Sequence, residues 1–303
     1  MVTLNNISKT YNKGTISAVD NVSFSVNEGE LFGLIGPDGA GKTSLFRMLT
    51  TLLVPDSGNA TVNKLDIVKD YKTIRQQVGY MPGKFSLYQD LTVEENLNFF
   101  ATVFNTTIKK NYDLIKDIYV QIEPFKDRRA GKLSGGMKQK LALCCALIHR
   151  PVVLFLDEPT TGVDTVSRKE FWEMLKRLKK EGISILVSTP YMDEATLCER
   201  IALIQAGKIL SIDTPGNITK QYPENLYAVK SGNMSRLLTE LRNSKEVKSC
   251  NAFGEYHHIT LTEDSLAGKE HLLQYLRIKA GENIEFKKTD ATIEDCFIQL
   301  MKN

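Results

Sequence analysis

Apolar and polar positions alternate in short bursts over the first thirty residues, at 2–7, 17–19 and 22–26. Asn5-Asn6, Asn12-Lys13-Gly14 and Asn27-Glu28-Gly29 separate or end them. Alternation at this period buries one face of a strand and leaves the other wet, so the stretch predicts an antiparallel β layer, with Tyr11 in one of its loops. The pattern then changes. Residues 31–35 are continuously apolar, a glycine-rich turn follows, and an apolar-periodic segment reaches residue 51. Pro55-Asp56-Ser57-Gly58 reads as a turn, 60–62 as a strand, 68–77 as a polar helix, and 78–81 as a short buried strand stopped by Pro82-Gly83.

From 91 to 149 the period is helical. Thr92 and Glu95 form a capping box, with Val93, Leu97, Phe100 and Phe104 along one face. A second helix is expected near 112–120, and a third after the turn Leu133-Ser134-Gly135-Gly136, running to His149. Residues 152–156 form an apolar run of the kind buried in a parallel sheet, ending in Asp157-Glu158. A helix at 166–180, a strand at 183–187 and strands at 201–204 and 209–212 around Ala206-Gly207 complete an α/β sheet covered on both faces.

Near Thr214-Pro215-Gly216 the scale of the pattern shrinks. Residues 220–303 predict a small α/β appendage: a strand at 226–229, a helix at 234–244, a strand pair within 249–262, a helix at 271–280, a strand at 284–287 and a helix from Thr292. Two domains, 1–215 and 220–303, are therefore expected, with no internal repeat and no low-complexity segment.

Composition narrows the partners. Lys plus Arg number 39 against 36 Asp plus Glu, a net charge of +3, too even to argue for nucleic acid or an anionic membrane as partner. The longest apolar stretch, 141–156, is interrupted by His149-Arg150-Pro151, whereas a spanning helix needs about 20 apolar residues. No secretory pattern precedes the first strand, so a cytoplasmic location is expected. Five cysteines, two of them adjacent at 144 and 145, give neither metal-site spacing nor a disulfide framework and read as free thiols.

The chemistry is concentrated at Gly36-Pro37-Asp38-Gly39-Ala40-Gly41-Lys42-Thr43-Ser44, between an apolar strand and a helix. Gly36, Gly41, Lys42 and Thr43 fit the P-loop template. Glycines let the backbone wrap a phosphate with N–H groups inward, and the following helix adds its positive end. Lys42 then serves as a point charge on the β- and γ-phosphates and Thr43 offers a hydroxyl to Mg²⁺, so ATP and Mg²⁺ are the expected cofactors. Asp157, at a strand's carboxyl end, suits Mg²⁺ through water, and Glu158 can polarise a water for attack on the γ-phosphorus. A tyrosine such as Tyr11 is ordinarily surface, but near a phosphate loop its ring could stack on a purine.

Leu133-Ser134-Gly135-Gly136-Met137-Lys138-Gln139-Lys140 resembles the signature motif of ABC-type ATPases, about twenty residues before the acidic pair. Thr161-Gly162-Val163-Asp164 is similar to that family's D-loop, and Tyr11 falls where its adenine-stacking aromatic is expected. The resemblance covers residues 1 to about 215. It implies an α/β P-loop NTPase with an N-terminal antiparallel β layer, a helical subdomain at about 86–149, and an ATP site completed by Ser134, Gly135, Gly136 and Asp164 across a dimer. It further implies a second nucleotide-binding domain, identical or paralogous, an integral-membrane permease, and a peripheral place on the inner face of the cell membrane. The C-terminal extension and the phrase 292–298 resemble those of drug- and polymer-exporting members, which favours export.

Two positions depart from that family. Gly83 stands where a glutamine touching Mg²⁺ and the attacking water is expected, and Gln89 lies too far along to replace it. Pro190 stands where a histidine contacts the γ-phosphate, and the four histidines are at 149, 257, 258 and 271. The expectation is a chain that binds ATP but hydrolyses it slowly at its own phosphate loop, while lending its signature to a partner's competent site. A regulatory ATP-binding module without a transport role is the rival reading, favoured by the same two residues. A soluble non-transport ABC ATPase is the other, but the paired domains or long coiled-coil insertions usual there are not visible.

Overall fold

The computed structural model describes residues 1–281 and 283–302. They divide into Met1–Gly216, together with the last few residues of the chain, and Asn217–Ile298.

In the first unit, β1 (Val2–Tyr11) and β2 (Ile16–Val26) pair antiparallel. Of the breaks read from sequence, Asn5-Asn6 lies inside β1, while Asn12–Gly14 forms a 3-10 turn between the strands and Asn27 follows β2. Asn6 and Asn21 take left-handed φ values of 52° and 53° where the register shifts, and the Asn6 side-chain Nδ2 donates to Asn21 Oδ1 at 2.8 Å. Asparagine tolerates this conformation, so the strands bulge instead of ending. Tyr11 is accordingly the last residue of β1 instead of a loop residue.

β3 (Leu31–Ile35) leads into α1 (Lys42–Leu49), followed by β4 (Ser57–Val62), β5 (Leu65–Asp66), α2 (Tyr71–Gln77) and β6 (Val78–Met81). The helix expected from residue 68 starts at Tyr71, because the Val68 and Lys69 amides both donate to Asp66 Oδ1 and hold a turn there. α3 (Val93–Val103), α4 (Tyr112–Tyr119) and α5 (Gly135–Leu147) form the helical region, with α3 and α4 packed on α5. The Thr92–Glu95 capping box opens α3.

β7 (Val153–Asp157), α6 (Thr165–Lys180), β8 (Ser184–Thr189), β9 (Arg200–Gln205) and β10 (Lys208–Asp213) complete the unit. One sheet has the order β2-β1-β4-β5 and the other β10-β9-β3-β8-β7-β6, in which only the β10–β9 pair is antiparallel. The two layers share a core in which the Phe24 ring stacks on Phe32 at 5.2 Å and Phe46 meets Phe155 edge-on at 5.7 Å. The parallel order sets Ile35 beside Thr189 and Asp157 beside Ser188. Three loops that carry chemistry thus leave the sheet at one edge, where ligands of open α/β sheets bind.

α7 (Pro215–Lys220) spans the division between the units. The second unit holds β11 (Leu226–Lys230), α8 (Met234–Asn243), β12 (Val247–Phe253), β13 (Tyr256–Leu261), α9 (Leu266–Ala280) and β14 (Glu285–Thr289), and α10 (Ile293–Leu300) begins in it. Its antiparallel sheet has the order β12-β13-β11-β14 and a core of its own with Leu237, Leu241, Ile259, Leu272 and Leu276. α9 starts five residues before the expected 271. Ser265 caps it by accepting from the Gly268 amide at 3.1 Å, while Leu266 is exposed and gives the first turn no apolar period.

Candidate functional site

The glycine loop is built into its surroundings. A Cβ on Gly36 would sit 2.2 Å from the Ile204 carbonyl oxygen, and one on Gly41, at φ 104°, 2.1 Å from the Ala18 oxygen. Neither position has room for a side chain. The Gly36 amide donates to Thr189 O, and Ala40 O accepts from the Gly207 amide, which ties the loop to β8 and to the β9–β10 turn. Asp38 and Gly39 are exposed at its tip. Gly41 precedes the first turn of α1, so Lys42 and Thr43 begin the helix as expected.

Lys42 is buried, with its side chain 2 % exposed. Its ammonium donates to Gly36 O at 2.7 Å and Pro37 O at 2.9 Å and pairs with Glu158 Oε1 at 3.0 Å. The lysine and the acidic residue predicted from separate motifs therefore meet directly. Asp157 is buried at the end of β7. Ser188 Oγ donates to its Oδ1 at 2.7 Å and accepts from the Glu158 amide at 3.0 Å. Glu158 holds a left-handed φ of 51°, which for a non-glycine residue costs on the order of 1 kcal/mol and is characteristic of functional loops. Hydrogen bonds from its amide to the Ser188 carbonyl and hydroxyl offset that cost.

Tyr11 lies beside α1, its hydroxyl 3.1 Å from Ser44 Oγ. Ser134 caps α5 by accepting from the Met137 amide at 3.4 Å. The direction of a Cβ on Gly136 falls 2.8 Å from Ser167 Oγ, and on Gly135 3.8 Å from Gly162 O, so the signature-like turn lies against the segment that leads into α6. Asp164 caps α6, accepting from the Val166 and Ser167 amides at 3.1 and 3.0 Å, and these bonds hold its carboxyl below the usual carboxylate range. Among the described residues no hydrogen bond or ion pair links the signature-like turn to Lys42, Glu158 or Tyr11. The chain presents these residues as two separate groups.

Gly83 lies against the acidic pair: its Cβ direction is 3.0 Å from Asp157 O and 3.7 Å from Glu158 Cβ. Gln89 is elsewhere, its carbonyl accepting from the Gly131 amide. Pro190 follows β8 directly, next to Thr189, whose carbonyl holds the phosphate loop. His149 is occupied by a hydrogen bond to Val78 O and by stacking on Phe104. Ser188, Thr160 and Glu194 were not singled out from sequence. The last two are buried, and Thr160 Oγ1 donates to Glu194 Oε2 at 3.1 Å. The short acid-rich stretch after Pro190 was the only sign of them.

A parallel sheet whose edge gathers a glycine loop, a buried lysine at a helix start and an acidic strand end defines a P-loop nucleotide-binding protein. Residues 19–161 match the family described as ABC transporter. The chain is 39% identical over 307 residues to "Probable multidrug ABC transporter ATP-binding protein YbhF" of Escherichia coli (strain K12), which covers 99% of this chain and 52% of that protein. It is 34% identical to "Nod factor export ATP-binding protein I" of Rhizobium sp. (strain N33), covering 93% of this chain and 91% of that one. A dimeric ATP-binding cassette solved in a post-hydrolysis state with ADP and Pi superposes with TM-score 0.65 at 26% identity, covering 71% of this chain and 98% of the cassette. The chain belongs to the ABC transporter family of ATP-binding proteins. It spans about half the length of the Escherichia coli relative.

Proposed function

We propose that this chain is an ATP-binding subunit that couples ATP binding and hydrolysis to export through a membrane permease, with slow hydrolysis at its own phosphate loop. The observation that carries the reading is the convergence of Lys42, Asp157 and Glu158 on one edge of the parallel sheet. The relative named for Nod factor export supports the direction of transport. Lys42 and the loop amides would hold the phosphates, and Tyr11 the base. Thr43 and Asp157 supply hard oxygen donors of the kind Mg²⁺ accepts, and Asp157 keeps Oδ2 free of the Ser188 bond. Bound Mg²⁺ would neutralise charge on the phosphates, and Glu158 would take the proton of the attacking water. Ser134, Gly135, Gly136 and Asp164 would serve the phosphate loop of a second nucleotide-binding domain, a copy or a paralogue.

A permease would dock in the groove that borders the helical region. This groove of about 480 Å³ between the sheet and the helical region is lined by Leu52, Leu87, Phe100 and Phe104, with Arg47 and Arg75 among its polar residues. The permease would supply the spanning part of the system, with this chain on its cytoplasmic face; no helix among the described residues is long and apolar enough to cross a membrane.

Gly83 and Pro190 set the rate. Neither offers a side-chain donor toward the γ-phosphate, and a missing transition-state donor of this kind costs about 10²–10³ in rate. The purified chain is expected to bind ATP yet turn it over slowly, and Pro190→His with Gly83→Gln to raise turnover at least about tenfold. A side chain at 83 meets Asp157 O at 3.0 Å and requires a small shift, so Pro190→His alone is the second arm. Turnover already normal for an ABC ATPase in the unaltered chain, and unchanged in both variants, would refute the slow-site reading. The same two residues favour a second reading, a regulatory module that clamps ATP without transport. Recovery of the chain from membranes without any permease would support that one.

A further inference from the structure

Beyond the groups that would touch nucleotide, one carboxylate stands out. Glu194 lies in the short 3-10 segment Met192–Leu197 after Pro190 and is 2 % exposed. Its Oε2 accepts from the hydroxyls of Thr160 and Thr189, and its Oε1 from the Arg168 guanidinium, with Nε at 3.1 Å and Nη2 at 3.0 Å. The guanidinium also lies over the Tyr191 ring, 4.2 Å from its centroid. The same guanidinium reaches Asp193 Oδ2 at 3.4 Å, and with both of its own oxygens engaged by donors Glu194 is fixed where it is.

What it fixes is the loop after Glu158. Thr160 is two residues beyond Glu158, and Arg168 lies in the first turn of α6, just past Asp164. Among the described residues, 158–164 are tied to one another only by the Thr161 amide to Glu158 O and the Val163 amide to Thr160 O, both at 3.2 Å, and a Cβ on Gly162 would meet nothing within 4 Å. Both ends of the loop are bound to one carboxylate, while its middle rests against the signature-like turn, where a Cβ on Gly135 would fall 3.8 Å from Gly162 O. Thr189 adds the end of β8, whose neighbour Ser188 holds the left-handed Glu158.

We propose that Glu194 is a positioning residue for ATP hydrolysis: by gathering Thr160, Arg168 and Thr189 it sets the loop 158–164, and with it the aim of Glu158, without contacting nucleotide. The inference rests on the ATP-hydrolysing reading above. In this chain Gly83 and Pro190 add no side-chain donor to Glu158, whose carboxylate is held by Lys42 Nζ at 3.0 Å while its backbone is held through Ser188 and the loop that Glu194 gathers.

The test is single-turnover hydrolysis of γ-labelled ATP with the full chain in excess, which resolves slow rates, alongside equilibrium ATP binding. Thr160→Val removes one donor and leaves the Glu194–Arg168 pair intact. Thr160→Ser restores the hydroxyl. Glu194→Gln weakens the whole knot. Thr160→Val and Glu194→Gln are expected to slow the chemical step at least tenfold with ATP affinity within twofold, and Thr160→Ser to stay within twofold in both. A purely stabilising role would lower the melting temperature and leave the rate alone. The proposal is overturned if Thr160→Val keeps its rate within twofold, or if Thr160→Ser is as slow as Thr160→Val; these two variants decide even where Glu194→Gln does not fold. Absence of ATP binding by the unaltered chain would sink the ATP reading itself, a failure seen before any variant is compared.

Discussion

A single hydroxyl, that of Ser188, joins the two acidic residues of the site. It donates to buried Asp157 and accepts from the amide of Glu158, whose backbone is left-handed. Hydrogen bonds to a charged group are each worth about 1.5–3 kcal/mol. Ser188→Ala leaves Asp157 one donor short and the Glu158 amide with only the backbone carbonyl of residue 188. It is expected to lower unfolding free energy in urea by about 2 kcal/mol and to weaken the Mg²⁺ dependence of ATP binding. An unchanged urea midpoint with unchanged Mg²⁺ dependence would remove Ser188 from the site. Lys42, Asp157 and Glu158 were legible in the sequence because each sits where an apolar run ends and local chemistry takes over. Ser188 was not, since its partner is 31 positions away and is set only by the parallel register of β7 against β8. Thr160 and Glu194 were hidden for the same reason, 34 positions apart and joined only after folding.

At the scale of elements, the helices were legible in proportion to their caps and periods. α3 announced itself through Thr92 and Glu95, whereas α2 and α9 were misplaced at their starts by an Asp66 turn and an exposed Leu266. What no period reveals is how an element's end is used. His149, just past α5, donates Nε2–H to Val78 O on β6 and stacks on the Phe104 ring at 3.7 Å. Its Nδ1 is buried with no partner among the described residues, and burial pushes its pKa from 6.5 down to about 4. The sign follows from linkage. Between pH 6.5 and 4 the unfolded chain takes up the proton and the folded chain does not, so stability falls as pH drops through that window and is unaffected above it. By pH 4.5 the loss is on the order of 2 kcal/mol. His149→Gln can keep the bond to Val78 O but does not titrate. Thermal unfolding of this variant is expected to be flatter between pH 6.5 and 4.5 than that of the unaltered chain, and equal slopes would show that His149 is not the group responsible.

For the whole molecule, the question is whether the two units stand or fall together. The 220–303 appendage was read from its smaller rhythm of strands and helices, and the structure gives the second unit an antiparallel sheet and its own core. The nucleotide groups all belong to the first unit, whose core runs through both of its sheets and α1. A unit of roughly eighty residues buries a smaller fraction of its surface than a larger one and has correspondingly little stability to spare. Leu237 is fully buried on α8, and truncating such a leucine to alanine costs about 2–5 kcal/mol. Leu237→Ala is therefore expected to open the second unit selectively. Hydrogen exchange read by mass spectrometry should lose protection across 217–298 while β3, β7, β8 and α1 keep theirs, and ATP affinity should stay within twofold. Protection lost in step across both units, together with ATP binding, would instead make the chain one cooperative whole. The second unit would then be part of what holds the phosphate loop in shape.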